Sequence, residues 1–424
     1  MRYTTPEINM KDISSFTLIE LLVVIGILGV IATAVVLVLN PAELLKQARD
    51  STRLSDLATL NSALSFFQVD QYNLPMGASN TVYVSVPDTS PTCVNLGLPA
   101  LPGGWSYACV PTSTLTKVNG TGWVPLNFTL LSMNSPLSKL PIDPVNATST
   151  GNYYTYTPGG SWELTTLMES SKQKMGGGSD KTSTDGGSYP ELYEVGTDLS
   201  LLPISRDPSL VGYWKFDEGT GGTAYDASGH GNTGTLTNNP TWQTSASCVK
   251  GGCLSFSSSS NTYVSVNSST TLNPTDISVS AWVYFLINNG GLNSLVVKGG
   301  DEHQNFKLAV DYRSGWNRLW WEIGDGIYSH YHTFEPTLNL VTGSWYHIVG
   351  VFDGSTKTLR AYLNGNALPS SYTIDSGISN DTTNLYIGRW ANSSYLLDGL
   401  IDNVRIYNRV LSAAEVQAIY TAGQ

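Results

Sequence analysis

Charge is scarce in this chain. Of its 424 residues only 13% are Asp, Glu, Lys or Arg, and 33 acidic residues outnumber 22 basic ones. A net charge of −11 with no basic cluster excludes the electrostatic footprint of nucleic-acid binding, so no nucleic acid is expected as a partner. Cysteine is rare too, with four in all, and no Cys-x-x-Cys or Cys/His spacing that would make a zinc site. Beyond residue 39 no long apolar run remains. What the chain does have is 41 Gly, 23 Tyr and abundant Ser, Thr and Asn, the composition of a β-rich surface or secreted protein. The cysteines fall as two local pairs, Cys93 with Cys109 and Cys248 with Cys253, which suits disulfides outside the cytoplasm. The second pair would close a tight hairpin, SCVKGGC, with Gly251 and Gly252 easing its turn. The length allows two or more domains.

The one apolar run covers residues 21–39, 19 residues without a charge, about what spans a hydrocarbon core. A helical pattern then continues through AELLKQARDSTRLSDLATLNSALSFFQ, with Leu57, Leu60, Leu64 and Phe67 on one face. The spacing predicts a helix that is apolar in its first half and amphipathic in its second. Asn40-Pro41-Ala42-Glu43 reads as a restart with Pro at the first helical position. Glu20 stands at the front edge of the run. An ionisable group there is costly and calls for a cationic partner. A chain cut before Phe16 would supply one, its new amino group, on its own subunit or a neighbour's.

Phe16, Thr17, Leu18, Ile19 and Glu20, followed by the apolar run, resemble the class III signal of type IV pilins and type II secretion pseudopilins. The resemblance implies a prepilin leader over residues 1–15, cleaved by a prepilin peptidase between Ser15 and Phe16. It also implies N-methylation of Phe16 and a filament-assembly role for Glu20. Ser15 stands where that family has Gly. Residues 16–40 would be the transmembrane and filament-core helix, first in the cytoplasmic membrane and then in an extracellular filament of pilin subunits. Gly26 and Gly29 are either ordinary tolerance within such a helix or points where it unwinds as the filament packs.

From residue 41 to 202 the pattern turns to short strands behind the helix: VYVSV (82–86), a hairpin over 152–169 turning at Pro158-Gly159-Gly160, and PELYEVG (190–196). The stretch KLPIDPVNATSTGNYYTY resembles the loop and strand of major pseudopilins. GGGSDKTSTDGGS (176–188) reads as a flexible low-complexity loop. Cys93 and Cys109 are expected to staple the loop between helix and sheet. Residues 203–209 read as a linker.

Composition changes after it. Eight of the 11 Trp lie beyond residue 210. Strand signals recur at 278–285, 307–312, 318–323, 344–354, 358–368, 384–390 and 400–408, with hairpin turns at Asp353-Gly354 and Asn364-Gly365. No long helix interrupts them, which predicts a sandwich or jelly roll. Only the end is helical, opened by a capping box at Ser412 and Glu415.

The blocks GYWKFDEGTGGTAYDASGHGNTGTL, SCVKGGCLSF, SVSAWV, WYHIVGVFDGSTKTLRAYLNG and LDGLIDNVRIYNRVLSAAEVQAIY resemble the laminin G-like, concanavalin A-like jelly rolls. The fold class expected is therefore an α+β pilin domain, a long helix on an antiparallel sheet, followed over 210–424 by an all-β concanavalin A-like sandwich. Catalytic members of that broad fold carry Glu-x-Asp-x-(x)-Glu on one strand. Glu322 and Asp325 have the wrong spacing, so no catalytic residue and no enzyme is expected. The resemblance implies one structural calcium between Asp226, Ser228 and Asn232 in DASGHGN and Asp402 in GLIDNV; the other reading is turn hydrogen bonds. Trp316, Trp320, Trp321 and Trp390 are candidates to stack on sugars or to fill the core. Together these features suggest a minor or tip pilin whose lectin-like domain binds a glycan or protein in adhesion. The alternative is a secretion pseudopilin, a moving part of a secretion machine.

Overall fold

A computed structural model describes residues 17–286, 291–300, 304–325, 331–380, 382–390 and 395–424. The leader, with the cleavage pair Ser15 and Phe16, lies outside the described residues.

Two helices open the chain, α1 (Leu18–Leu39) and α2 (Pro41–Asp70). They meet at Asn40, whose left-handed backbone (φ 38°) breaks the helix and whose side chain accepts from the Glu43 amide. The restart expected at Pro41 is therefore a true end and a new beginning. The apolar side chains of α1 from Leu18 to Ile31 are exposed, Leu18 by 82% and Val30 by 73%. Among the described residues no helix is long and apolar enough to cross a membrane, the described side chains of α1 ending at Ile31.

Among the described residues five strands follow: β1 (Thr81–Val84), β2 (Ser106–Ala108), β3 (Thr155–Pro158), β4 (Trp162–Leu167) and β5 (Leu192–Gly196). They pair in the order β2-β1-β3-β4-β5, and β1 with β2 is parallel. The disulfide Cys93–Cys109 closes the crossover between those two strands, rather than a helix-to-sheet loop. A parallel pair needs a long connection, and Asp88, which accepts from the Ser90 and Asn95 amides, helps to fold this one. Leu57, Leu60, Leu64 and Phe67 of α2 pack on Trp123, Tyr154, Tyr156, Trp162 and Leu164. The register of α2 on the sheet is fixed by a buried arginine. Arg53 donates through Nε and Nη2 to Asp143, at 2.6 and 2.9 Å, and through Nη1 to Asp50 at 2.8 Å. Its Nη1 also pairs with Glu169 at 2.7 Å. The loop 176–188 is organised by Asp180, which accepts from the amides of Gly176, Thr182 and Ser183.

The remainder is a sandwich. Its strands are β6 (Leu210–Trp214), β7 (Thr223–Ala224), β8 (Gly234–Thr237), β9 (Thr241–Gln243), β10 (Cys253–Phe256), β11 (Tyr263–Val266), β12 (Ile277–Phe285), β13 (Leu292–Gly299) and β14 (Gln304–Asp311). Then come β15 (Arg318–Gly324), β16 (Tyr331–Phe334), β17 (Trp345–Asp353), β18 (Thr358–Leu363), β19 (Asn366–Ala367), β20 (Tyr372–Thr373), β21 (Leu385–Ile387) and β22 (Gly399–Tyr407). A back sheet runs β19-β18-β17-β12-β22-β10-β9, with β20 on β18 and β6 on β22; a front sheet runs β16-β15-β14-β13-β21-β11-β8-β7. Alternation works as the pleat demands. Ile277, Val279, Ala281 and Val283 of β12 face Phe306, Leu308, Leu319 and Trp321 of the front sheet in one core. Gly350 on β17 is needed there, because a Cβ would stand 2.5 Å from the Trp321 ring. Asn364-Gly365 is the expected tight turn, with φ of 50° and 77°. Asp353-Gly354 is not: β18 begins only at Thr358, and Asp353 caps the longer turn through the Ser355 and Thr356 amides. The chain ends in α3 (Ala413–Ala422), opened by the capping box of Ser412 and Glu415.

The outer side of the back sheet is covered. Val349, Val351, Tyr362 and Tyr407 share a core with Val82, Val84, Tyr189 and Leu192 of the first unit and with Val416 and Ile419 of α3. The expected linker is consequently no free tether. Ile204 and Ser205 are buried, and Arg206 donates to the Tyr153 carbonyl and to Thr165 Oγ1, at 2.8 and 2.9 Å. The apolar core that continues across the junction holds the middle of the connector against it, while Pro208 is exposed.

Candidate functional site

With the back sheet covered, the sandwich presents the outer side of its front sheet. Alternation on β14 and β15 sends Leu308, Val310, Leu319, Trp321 and Ile323 inward. It turns Lys307, Asp311, Arg318, Trp320 and Glu322 to the other side of the sheet, where Lys307, Asp311 and Glu322 are buried beneath their neighbours and Arg318 and Trp320 half-buried. The adjacent tryptophans of RLWW thus divide. Trp321 is core, donating to the Val351 carbonyl at 3.1 Å, while Trp320 is half-buried on the outer side.

Around Trp320 the outer residues form layers of rings and cations. Lys307 Nζ lies 3.4 Å from the Trp390 ring centre and 4.9 Å from that of Trp320. Trp390 stacks on Tyr395, with centroids 5.3 Å apart. Arg313 reaches over Trp320 at 4.8 Å and Tyr395 at 5.6 Å, and Arg318 lies 3.4 Å over Trp316. Such contacts hold both the rings and the cations in place.

The carboxylates of this face are already engaged. Glu322 pairs with Lys307 at 3.1 Å and accepts from Trp320 Nε1 at 2.6 Å and Thr333 Oγ1 at 3.0 Å. Asp311 takes a two-pronged bond from Arg313, at 2.9 and 3.0 Å. Burial pulls the Asp311 carboxyl upward, but the hydrogen bonds and charges of Arg313 and Arg318 outweigh it and hold the group below its ordinary value. What remains is the half-buried ring surface of Trp320, Trp390 and Tyr395, suited to stacking on the apolar face of a sugar. Sequence reasoning singled out Trp320 and Trp390 but missed Lys307, Arg313 and Tyr395. Only the pairing of β14 with β15, Lys307 opposite Glu322 and Asp311 opposite Arg318, could have grouped them.

The expected calcium ligands lie elsewhere. Asp226 Oδ1 accepts from the Tyr213 and Ser228 amides and Oδ2 from the Asn232 amide, at 2.8–2.9 Å. Asn232 spends its own amide on the Val211 carbonyl and Thr271 Oγ1. Asp402 Oδ2 instead accepts from the Val249 and Lys250 amides, in the hairpin closed by Cys248–Cys253. Asp226 and Asn232 therefore come together, while Asp402 is tied to a different loop. Among the described residues no group of three or more His, Cys, Asp or Glu could hold a metal. Calcium wants six to eight oxygens, and N–H donors occupy the ones offered here. The donor set fits loop ties better than a cation.

A family model described as a concanavalin A-like lectin/glucanases superfamily, of the laminin G type, matches residues 258–417. Another, the prokaryotic N-terminal methylation motif, matches residues 10–36. The chain carries a type IV pilin signal and a concanavalin A-like domain. No curated protein matches it. Among solved structures it is similar to domain 4 of AbnA, an extracellular arabinanase of Geobacillus stearothermophilus, solved with arabinotriose. That likeness has 20% identity and a TM-score of 0.39, covering 50% of this chain and 98% of that one. The binding domain of botulinum neurotoxin DC in complex with SialylT is 12% identical, with a TM-score of 0.42, over 51% of this chain and 52% of that one. A Trypanosoma rangeli sialidase is 15% identical, with a TM-score of 0.38, over 50% of this chain and 32% of that one.

Proposed function

We propose that this concanavalin A-like chain is a pilin-like subunit of a surface fibre that presents a glycan-binding face. The observation that carries the reading is the burial of the back sheet. Because the first unit and α3 cover it, the side that bears Trp320, Trp390 and Tyr395 is left to meet a ligand. Tying of Glu322 and Asp311 by their own neighbours supports binding rather than catalysis. At the other end, the 22 residues of α1 rise about 33 Å, close to the ~30 Å of a hydrocarbon core, and the described apolar side chains, from Leu18 to Ile31, are exposed. A membrane before assembly, and neighbouring pilin subunits after it, would cover them. The bulk of the sandwich would crowd every subunit of a thin fibre, which favours a minor or tip position.

A glycan array probed with the full chain in detergent tests the reading. The parent should bind a defined set of glycans. Trp320→Ala and Trp390→Ala should each weaken binding roughly 30-fold, the order expected for removing a central aromatic anchor. An array with no bound glycan, or variants that bind as the parent does, would refute it.

A further inference from the structure

At one end of the apolar junction between the two units lies a pair of buried carboxyl groups. β4 pairs with β5 so that Thr165 stands opposite Glu194 and Glu163 opposite Gly196. Glu163 and Glu194 are therefore diagonal neighbours on one side of the sheet, within side-chain reach. Their exposures are 0% and 2%, and one oxygen of each, Oε1 of Glu163 and Oε1 of Glu194, is buried with no other group to bond to among the described residues. Two ionised carboxylates so placed could only repel, since each only accepts; a proton on one would let it donate to the other. Each also has its second oxygen committed, Glu163 to the Leu202 amide at 2.6 Å and Glu194 to the Tyr189 amide at 2.9 Å.

The surrounding charges do not supply a substitute cation. On the loop before β5, Asp185 accepts the Glu194 amide at 2.7 Å, and Glu191 is buried next to Ser205. From the sandwich come Lys215, Asp217, Lys250, Arg405 and, beyond Lys250, Asp402. Lys215 lies over the Tyr189 ring and pairs with Asp217 at 3.5 Å. Lys250 donates to the Gly187 carbonyl at 2.7 Å, and Arg405 to Tyr213 Oη at 2.6 Å. Among the described residues none of these cations forms an ion pair with Glu163 or Glu194.

We propose that Glu163 and Glu194 share one proton across β4 and β5 and make the junction between the two units an acid-stabilised lock that loosens as pH rises. Burial raises both carboxyls above their ordinary value, and the neighbouring acids Glu163 and Asp185 raise Glu194 further. A proton held more tightly in the folded chain than in the unfolded one stabilises the fold fully below the unfolded value, about 4.3. That stabilisation is lost as pH climbs through the raised folded values. Asp185, pushed up to about 7 mainly by burial, loses its share over the same window. The rungs of this lock are the Leu202 and Tyr189 amides, both on segments packed against the sandwich, so ionising the pair strains the contact between the units directly.

The test is thermal unfolding of the full chain in detergent from pH 5 to 8.5, with hydrogen exchange of residues 186–205. In the parent the melting temperature should fall by about 5 °C across that range, and residues 186–205 should exchange faster at the alkaline end. Glu163→Gln and Glu194→Gln each replace the shared proton with an amide N–H, keeping the bond but not its titration. Their melting temperatures should depend less steeply on pH. A parent whose melting temperature is flat or rises over the range would overturn the proposal, whether or not the variants fold. So would two Gln variants that both keep the parent's slope.

Discussion

Glu20→Val is expected to stop fibre formation while the processed protein accumulates in the membrane. Locally, Glu20 closes the start of α1. Its Oε2 accepts from the Thr17 amide at 2.9 Å and from Thr17 Oγ1 at 2.8 Å, and its own amide donates to Thr17 Oγ1 at 3.3 Å. That is a capping box, and losing one costs about 0.5–2 kcal/mol. A cap alone does not need a charge. The proposed second role does: among apolar helices of a fibre the carboxylate meets the amino group of Phe16, freed by leader removal, on a neighbouring subunit. Breaking such a buried pair costs about 3–5 kcal/mol at every subunit contact. The two roles separate in Glu20→Gln, because Gln serves a capping box but carries no charge. Both variants should be scarce in sheared fibres and abundant in membranes by immunoblot. Normal entry of Glu20→Gln into fibres would reduce Glu20 to a helix cap.

Arg53→Met should unfold the first unit at temperatures the parent withstands. The guanidinium is fully buried, and removing it strands Asp50 and Asp143, themselves at 0% and 2% exposure, without a counter-charge. Loss of one member of such a set typically costs about 3–5 kcal/mol, or a fall in melting temperature of about 10 °C. Arg53→Lys should not rescue it, because an ammonium cannot replace the two parallel bonds to Asp143. Calorimetry on the full chain decides this. A shift of only a degree or two would mean that α2 is held on the sheet by its apolar face alone.

Local features of this chain were legible in its sequence, and long-range ones were not. The Asn40-Pro41 restart, the Asn364-Gly365 turn and the Ser412 capping box each depend on a few adjacent residues, and each stands where its chemistry predicts. The amphipathic face of α2 could be read as well, since Leu57, Leu60, Leu64 and Phe67 repeat at helical spacing. Arg53 could not, because its partner Asp143 lies 90 residues away and a lone Arg on a helix normally points to water. The strands β6 to β11, β13, β16 and β20 went unmarked; β13 is flanked by Asn and Gly rather than by a clear polar alternation. Residues 203–209 look polar enough for a linker, and nothing local reveals that Val82 and Val349 share a core across them. The candidate face was half legible. Its tryptophans stood out, but their inward or outward sense needed the sheet pairing.

The most direct measurement of the central claim is the mass of the amino-terminal peptide of the protein recovered from fibres sheared off intact cells. A processed fibre subunit must begin at Phe16 and carry a methyl group on its nitrogen. Recovery of the chain in that fraction with an N-methylated Phe16 terminus is the predicted result. A chain that begins at Met1, or one that stays wholly with the cells, would contradict it.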